Sequence, residues 1–431
     1  MNTITKIFVF GILLLSAHAG MAQEVESTSE LELEYPPPEF ATNYGLPSLY
    51  TPGVTDNNSW FDVLMLFGAL SLSTWFIVKS RSRRGLFLLS IFSLIFFGFY
   101  RKGCICPVGS TQNVAAGIFV PDVGVSLVVL SFFLLPLLFS LFFGRVFCAS
   151  VCPLGAMQEL VAIAPIRMSP SLERVLGLGR YIYLGLAVLG VATQAGFIIC
   201  RYDPFVGIYR MGHHFNMLLA GGAILLLGVF IGRPYCRFLC PYGVLLGWMS
   251  RMSKWHLEIP PSPCVECRLC EDSCPYNAID MPTPDHLLED PAVGRNRIFK
   301  ILLATPLIIL AGTLVGYGIY EPLSRMHPDI ALSERIAAED LGLAEVGGVL
   351  TSETHRVSDE TTAALHAKAT LTRERFKVGG AWLGAFLALI VATKLIGLSM
   401  VARRNVFEPT KERCYSCGRC MPYCPVEEGT S

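Results

Sequence analysis

Fourteen of the 15 cysteines fall into five tight groups, and the spacing inside each group limits its chemistry. Cys264-x-x-Cys267-x-x-Cys270-x-x-x-Cys274-Pro275 recurs as Cys414-x-x-Cys417-x-x-Cys420-x-x-x-Cys424-Pro425. Three thiolates so spaced wrap one corner of an iron–sulfur cubane, and the fourth, before proline, reaches the partner cluster. One [4Fe–4S] cluster is then expected on Cys264, Cys267, Cys270 and Cys424, and a second on Cys414, Cys417, Cys420 and Cys274. Thiolates also suit zinc, but structural zinc sites rarely use this run.

A second repeat adds four more thiols. Gly144-Arg145-Val146-Phe147-Cys148-x-x-x-Cys152-Pro153-Leu154-Gly155 matches Gly232-Arg233-Pro234-Tyr235-Cys236-x-x-x-Cys240-Pro241-Tyr242-Gly243. Cysteines at i and i+4 share a helix face. Cys148, Cys152, Cys236 and Cys240 could therefore hold a further cluster or metal, form dithiol pairs, or serve only as small packing residues. A shorter relative, Cys104-Ile105-Cys106-Pro107-Val108-Gly109, shares its Cys-Pro-x-Gly-x-x-Gln tail with Cys152–Gln158. With Cys200 it could bind a metal, His213 or His214 adding a ligand, or close a disulfide. His213 and His214 could equally contact a quinone or be an interfacial pair. Asp203-Pro204 reads as a turn.

The elements that must position these groups are membrane helices. Only 16% of residues are charged and mean hydropathy is +0.51, against about 25% charged in soluble chains. Apolar runs at Phe61–Val78, Leu86–Tyr100, Val123–Phe143, Tyr181–Ile199, Asn216–Ile231, Ile298–Tyr320 and Gly380–Met400 give about seven spans. A bilayer core takes about 20 helical residues, and backbone satisfaction favours helices there. The expected fold is a mainly α polytopic bundle with a split two-cluster bacterial ferredoxin module. Arginines and lysines crowd Lys79–Arg84, Arg233–Arg268 and Arg403-Arg404, which alternate threading places on one side; the positive-inside rule makes it cytoplasmic. Both ferredoxin motifs, in 257–290 and 402–431, then face the cytoplasm. The quartet lies at the inner membrane edge, while Cys104, Cys106 and Cys200 lie at the outer edge. Residues 1–22 read as a cleaved signal peptide, 23–59 as an extended periplasmic segment, 60–256 as the Cys-Pro membrane domain, 298–320 and 379–401 as spans, and 321–377 as a periplasmic loop with a small helical hairpin. The zero net charge gives no basic excess to suggest nucleic acid.

The paired Gly-Arg-x-aromatic-Cys-x-x-x-Cys-Pro-x-Gly motifs, followed by two ferredoxin motifs, resemble the NosR/NapH family over roughly residues 60–431. That resemblance implies a bacterial inner-membrane electron-transfer protein, a quinol-dehydrogenase-like subunit linking the quinone pool or a cytoplasmic donor to a periplasmic reductase or flavoprotein partner. A metal-reducing assembly factor for a respiratory metalloenzyme and a redox-sensing regulator are the alternatives. The topology predicts that alkaline phosphatase fused after Ile330 is active and after Asp280 inactive; the reverse pattern would overturn the orientation.

Overall fold

The computed structural model describes residues 58–103, 106–120, 123–163, 165–166, 168–210, 215–259, 264–283, 291–343, 361–399, 404 and 406–425. The expectations on the leader, the extended segment through residue 57, Cys104, His213, His214 and Arg403 lie outside these residues, while residues 58 and 59, expected to be extended, begin the first helix. Five described helices are long and apolar enough to cross a membrane: Trp60–Val78, Arg83–Tyr100, Pro170–Ala192, Ala292–Gly318 and Thr362–Ser399. Two shorter apolar helices, Leu127–Phe143 and Phe215–Phe230, cover the remaining apolar runs.

The first hairpin is α1 (Asn58–Val78) and α2 (Arg83–Ser93), the latter widening into a π-helical stretch, Leu94–Tyr100. Ser82 caps α2 by accepting from the Gly85 amide at 3.1 Å, satisfying one of the donors every helix start leaves open. Next come α3 (Pro107–Phe119) and α4 (Leu127–Phe143), which stops at Gly144 with φ of 75°. Helices α5 (Pro153–Val161), α6 (Pro170–Leu176) and α7 (Gly179–Ala192) follow. The fourth apolar run thus ends its helix at Ala192 rather than Ile199. Gly196, at φ of 106°, turns the chain into the short α8 (Ile198–Tyr202) and α9 (Val206–Arg210).

Two segments fold back into the bundle on the ferredoxin side. Arg83, at the start of α2, pairs with Glu159, near the end of α5, at 2.6 Å. Farther along α2, the Ser93 hydroxyl donates to the Val151 carbonyl. The two helices therefore run antiparallel, and Cys152 sits about 15 Å of helix rise from the Arg83 end. That is about half of a 30 Å hydrocarbon core. The second segment comprises α10 (Phe215–Phe230), α11 (Pro234–Phe238) and α12 (Tyr242–Arg251). The Tyr242 hydroxyl donates to Phe133 O at 2.7 Å, Ser140 Oγ to Leu246 O at 3.0 Å, and the Trp255 amide to Phe142 O at 2.9 Å. Helix α12 thus follows α4 from its middle to its end. The quartet is accordingly deep in the bundle, not at the inner edge.

The third Cys-Pro segment inserts from the other side. Gln112 of α3 donates to Ala187 O at 3.4 Å, and Ala115 and Ala116 pack on Val191. Arg180, at the opposite end of α7, pairs with Glu412 near the second ferredoxin motif. Helix α3 therefore runs away from the ferredoxin side, with Cys106 at its inward end. This corrects the outer-edge placement of Cys106.

The remaining chain forms α13 (Leu269–Asp272), β1 (Ile279–Asp280), α14 (Pro291–Gly318), α15 (Tyr320–Ser324), α16 (Pro328–Asp340), the 38-residue α17 (Thr362–Ser399) and β2 (Glu408–Pro409). The expected helical pair is α16 against the first turns of α17, with Ser333 Oγ 2.7 Å from His366 Nδ1. Within the bilayer, α14 and α17 touch through Gly312, Gly316, Gly380 and Gly384 at four-residue spacing. A Cβ on Gly384 would strike the Gly312 carbonyl, and one on Gly316 the Gly380 carbonyl. Small residues let membrane helices pack backbone to backbone. Gly384→Leu should cost about 1–3 kcal/mol by overpacking, read as a lower melting temperature in detergent. Gly397→Leu, with open space around its Cβ, should leave it unchanged.

Candidate metal centre

The two ferredoxin motifs meet although two long helices separate them in the chain. Strands β1 and β2 pair antiparallel, Ile279 opposite Pro409 and Asp280 opposite Glu408. The Thr410 amide donates to Ala278 O at 2.7 Å. Asp280 accepts from Arg404 at 2.9 Å and from Arg413 at 2.5 Å. Both motifs turn the same way. Glu266 and Ser416, each before a second cysteine, have φ of 51° and 52°; Arg268 and Gly418, each after it, have φ of 62° and 70°. These left-handed steps are costly for non-glycine residues. They curl each loop so that its thiols converge.

The result is two cavities. One is lined by Cys264, Cys267, Cys270 and Cys424. The other is lined by Cys274, Cys414, Cys417 and Cys420. Each therefore takes three thiols from one motif and the pre-proline thiol from the other. Among the described residues no three His, Cys, Asp or Glu side chains converge as a single metal ion would need; the thiols stand around space. Four soft donors around a cavity suit an iron–sulfur cluster. Burial pushes the Cys414 thiol up to about 12, so filling the second cavity must displace protons.

The membrane quartet lies beneath this module. Cys148, Cys152, Cys236 and Cys240 are all buried and within electrostatic reach of one another. They do not share one continuous helix, as the spacing suggested. Cys148 lies in the wide turn Phe147–Val151, while Cys152 sits outside it, ahead of Pro153. Cys236 lies in α11, while Cys240 follows its end. In each pair the chain breaks between the cysteines.

The two repeats clasp each other through their arginines, which sequence reasoning passed over. Arg145, 1% exposed, donates to Gly243 O of the second repeat at 3.3 Å. Arg233, fully buried, donates to Cys148 O and Ala149 O of the first. A Cβ on Gly243 would stand 3.1 Å from Arg145, and one on Gly155 3.4 Å from Arg233. The motif's arginine and final glycine are thus partners across the repeats. Their joint recurrence in the sequence was the available signal.

Charge and aromatic contacts dock the module on the quartet. The Arg145 guanidinium lies 4.4 Å from the centre of the Tyr415 ring, next to Cys414 in sequence. Tyr415 stacks edge-on against Tyr276 at 5.0 Å. The Tyr276 hydroxyl donates to Glu159 at 2.6 Å, and Arg233 and Arg419 pair with the same carboxylate at 3.1 and 2.8 Å. Burial works to raise the Glu159 carboxyl, but Arg233, Arg419 and Arg83 outweigh it and hold the group well below the usual range. Nearby, burial likewise opposes ionisation of Glu412, yet Lys394, Arg251 and Arg180 bring it down to about 2.

Segments 125–168 and 213–260, which contain the quartet, match a family model described as a 4Fe-4S binding domain. Residues 257–280, with the first ferredoxin motif, match another of the same description. YccM of Escherichia coli (strain K12), named for electron transport, is 27% identical over 106 residues, 24% of this chain and 29% of its own. NirI of Paracoccus denitrificans (strain Pd 1222) is 31% identical over 126 residues, 28% of this chain and 18% of its own. The uncharacterized protein MJ0749 of Methanocaldococcus jannaschii is 38% identical over 69 residues, 16% of this chain and 28% of its own. The chain thus spans less than a third of each of these relatives. No solved structure matches it.

Glu159→Gln would leave Arg83, Arg233 and Arg419 around a neutral amide. Breaking a buried ion network costs about 3–5 kcal/mol. The variant should lose cluster absorbance at a lower temperature than the wild type. Glu374→Gln, which alters an exposed pair with Lys377, should not.

Proposed function

Because the chain is a membrane protein of the [4Fe–4S] ferredoxin type, we propose that it carries electrons between the ferredoxin side of the membrane and an acceptor toward the opposite face. The observation that carries this reading is the set of contacts that docks the split ferredoxin module on the buried quartet. The two four-thiol cavities share one split module, and Tyr415 and Arg145 join the second cavity to the buried quartet. Cys264, Cys267, Cys270 and Cys424 would hold one cluster, and Cys274, Cys414, Cys417 and Cys420 the next. Cys148, Cys152, Cys236 and Cys240 would hold a third. Such clusters supply one-electron redox chemistry whose potential depends on charge, hydrogen bonds and solvent exposure.

The protein's own residues set those conditions. Arg145 and Arg233 place two permanent positive charges beside the quartet, offsetting thiolate charge in a low-dielectric setting. Gln158 donates to Cys236 Sγ at 3.4 Å. Buried Phe147, Tyr235 and Tyr242 exclude water. The quartet's depth divides the hydrocarbon core into two shorter intervals. The ferredoxin side is the cytoplasm of a bacterial inner membrane in this reading, and the quinone pool or a cytoplasmic donor supplies the electrons for a periplasmic reductase.

Electron paramagnetic resonance on detergent-purified protein tests the ligand sets. Cys274→Ser should alter the cluster of Cys414, Cys417 and Cys420; a change confined to that of Cys264, Cys267 and Cys270 would refute the exchange. Cys152→Ala with Cys240→Ala should remove one cluster's iron and abolish transfer to the far-side acceptor, while both ferredoxin signals persist. Unchanged iron and normal transfer would reduce the quartet to packing.

A further inference from the structure

Two glutamines in the bundle do the same task in different places. Gln158 lies six residues after Cys152 and accepts the Tyr235 amide at 3.0 Å; Tyr235 precedes Cys236. Gln112 lies six residues after Cys106 and accepts the Ile199 amide at 2.8 Å; Ile199 precedes Cys200. Each glutamine thus ties a Cys-Pro helix to a cysteine-bearing segment elsewhere in the chain. The tied segments are also alike: Cys200-Arg201-Tyr202-Asp203-Pro204 against Cys236-Arg237-Phe238-Leu239-Cys240-Pro241. With one residue omitted, Asp203-Pro204 stands where the quartet has Cys240-Pro241.

The groups this echo pairs are neighbours in space. A Cβ on Gly109, in the Cys106-Pro-x-Gly turn, would stand 3.6 Å from Cys200 Sγ. Cys106 is within electrostatic reach of both Asp203 and Cys200. Asp203 is 2% exposed, an uncommon setting for a carboxylate. It is held by the Phe205 amide at 2.9 Å and by the Tyr235 hydroxyl at 3.2 Å. Tyr235 therefore touches Asp203 at its ring end and precedes Cys236 of the quartet along the backbone. Tyr209, 3% exposed, lies within electrostatic reach of Cys152, Cys236, Cys106 and Asp203. Its hydroxyl has no hydrogen-bond partner among the described residues.

We propose that Cys106, Cys200 and Asp203 form a second metal site in the bundle, related in sequence to the quartet and giving an iron–sulfur cluster three protein ligands, two thiolates and, at the position of Cys240, a carboxylate oxygen. The assignment to iron–sulfur rests on the reading of the quartet as a cluster site. Two soft thiols and one hard oxygen are compatible with iron, and like the quartet they do not converge on a point. An oxygen ligand distinguishes this site electronically from an all-thiolate one. Tyr235 and Tyr209 adjoin both sites.

Iron, zinc and acid-labile sulfide counts with paramagnetic resonance on the full-length protein in detergent provide the test. Cys106→Ser with Cys200→Ser should lose one cluster's iron and sulfide while the ferredoxin signals persist. Asp203→Cys should keep the iron and change the resonance of one cluster. Iron and sulfide equal to wild type in the double variant would overturn the proposal, as would loss of zinc in place of iron. An unchanged spectrum in Asp203→Cys would do the same and does not require the double variant to fold. Cys152→Ala with Cys240→Ala reports on the quartet separately: iron retained there but lost from Cys106→Ser/Cys200→Ser would sink the quartet reading and spare this one.

Discussion

A chain that reverses direction inside hydrocarbon leaves backbone donors and acceptors with no water to satisfy them. Much of this bundle's polar chemistry answers that constraint. Ser73 donates to Val146 O, Ser93 to Val151 O, Arg233 to Cys148 O and Ala149 O, and Arg145 to Gly243 O. Gln158 and Gln112 accept from the Tyr235 and Ile199 amides. Every one of these groups serves a break beside a cysteine. The breaks bring sulfur deep into the bundle, which an unbroken span carrying cysteine only at its end could not do.

The same arginines serve two purposes. As donors they satisfy carbonyls across the repeats; as charges they lie near both the quartet thiols and the rings of Tyr415 or Tyr276. Glu159 then gathers Arg83, Arg233 and Arg419 around one carboxylate, so that α2, α11's leading turn and the second ferredoxin motif are fixed together. Docking of the module and shape of the quartet are therefore one structure. A lysine could supply charge at position 233, but not a planar set of donors to Glu159, Cys148 and Ala149 together.

Much of this was legible in the sequence. Apolar runs located the membrane helices because lipid imposes a length and composition on any span. The Cys-x-x-Cys-x-x-Cys-x-x-x-Cys-Pro runs pointed to the two cavities because local spacing dictates how those loops curl. Depth was not legible. Cys148 and Cys152 at i and i+4 suggested one helix at the membrane edge, whereas Pro153 and the wide turn before it reverse the chain. Nothing in hydropathy separates a re-entrant segment from an apolar loop. Asp203 looked like a turn residue because its partners, Tyr235 and Cys106, lie far away in sequence. Arg233 was read for orientation and Arg145 only as a position of the repeat, since their reciprocal contacts appear only once the repeats are placed face to face.

The split of the ferredoxin module has a consequence for biosynthesis. Cys264 and Cys414 are 150 residues apart, and synthesis at 5–20 residues per second separates their appearance by roughly 8–30 s. In that interval the first motif has three of the four thiols of its cavity, and Cys274 belongs to a cavity whose other three thiols do not yet exist. Completion awaits insertion of α14 and α17 and pairing of β2 with β1. A chain stalled or cleaved before its last thirty or so residues would present an open sulfur site and no closed one. Ligand exchange between the halves thus makes a finished membrane topology the condition for a finished pair of cavities.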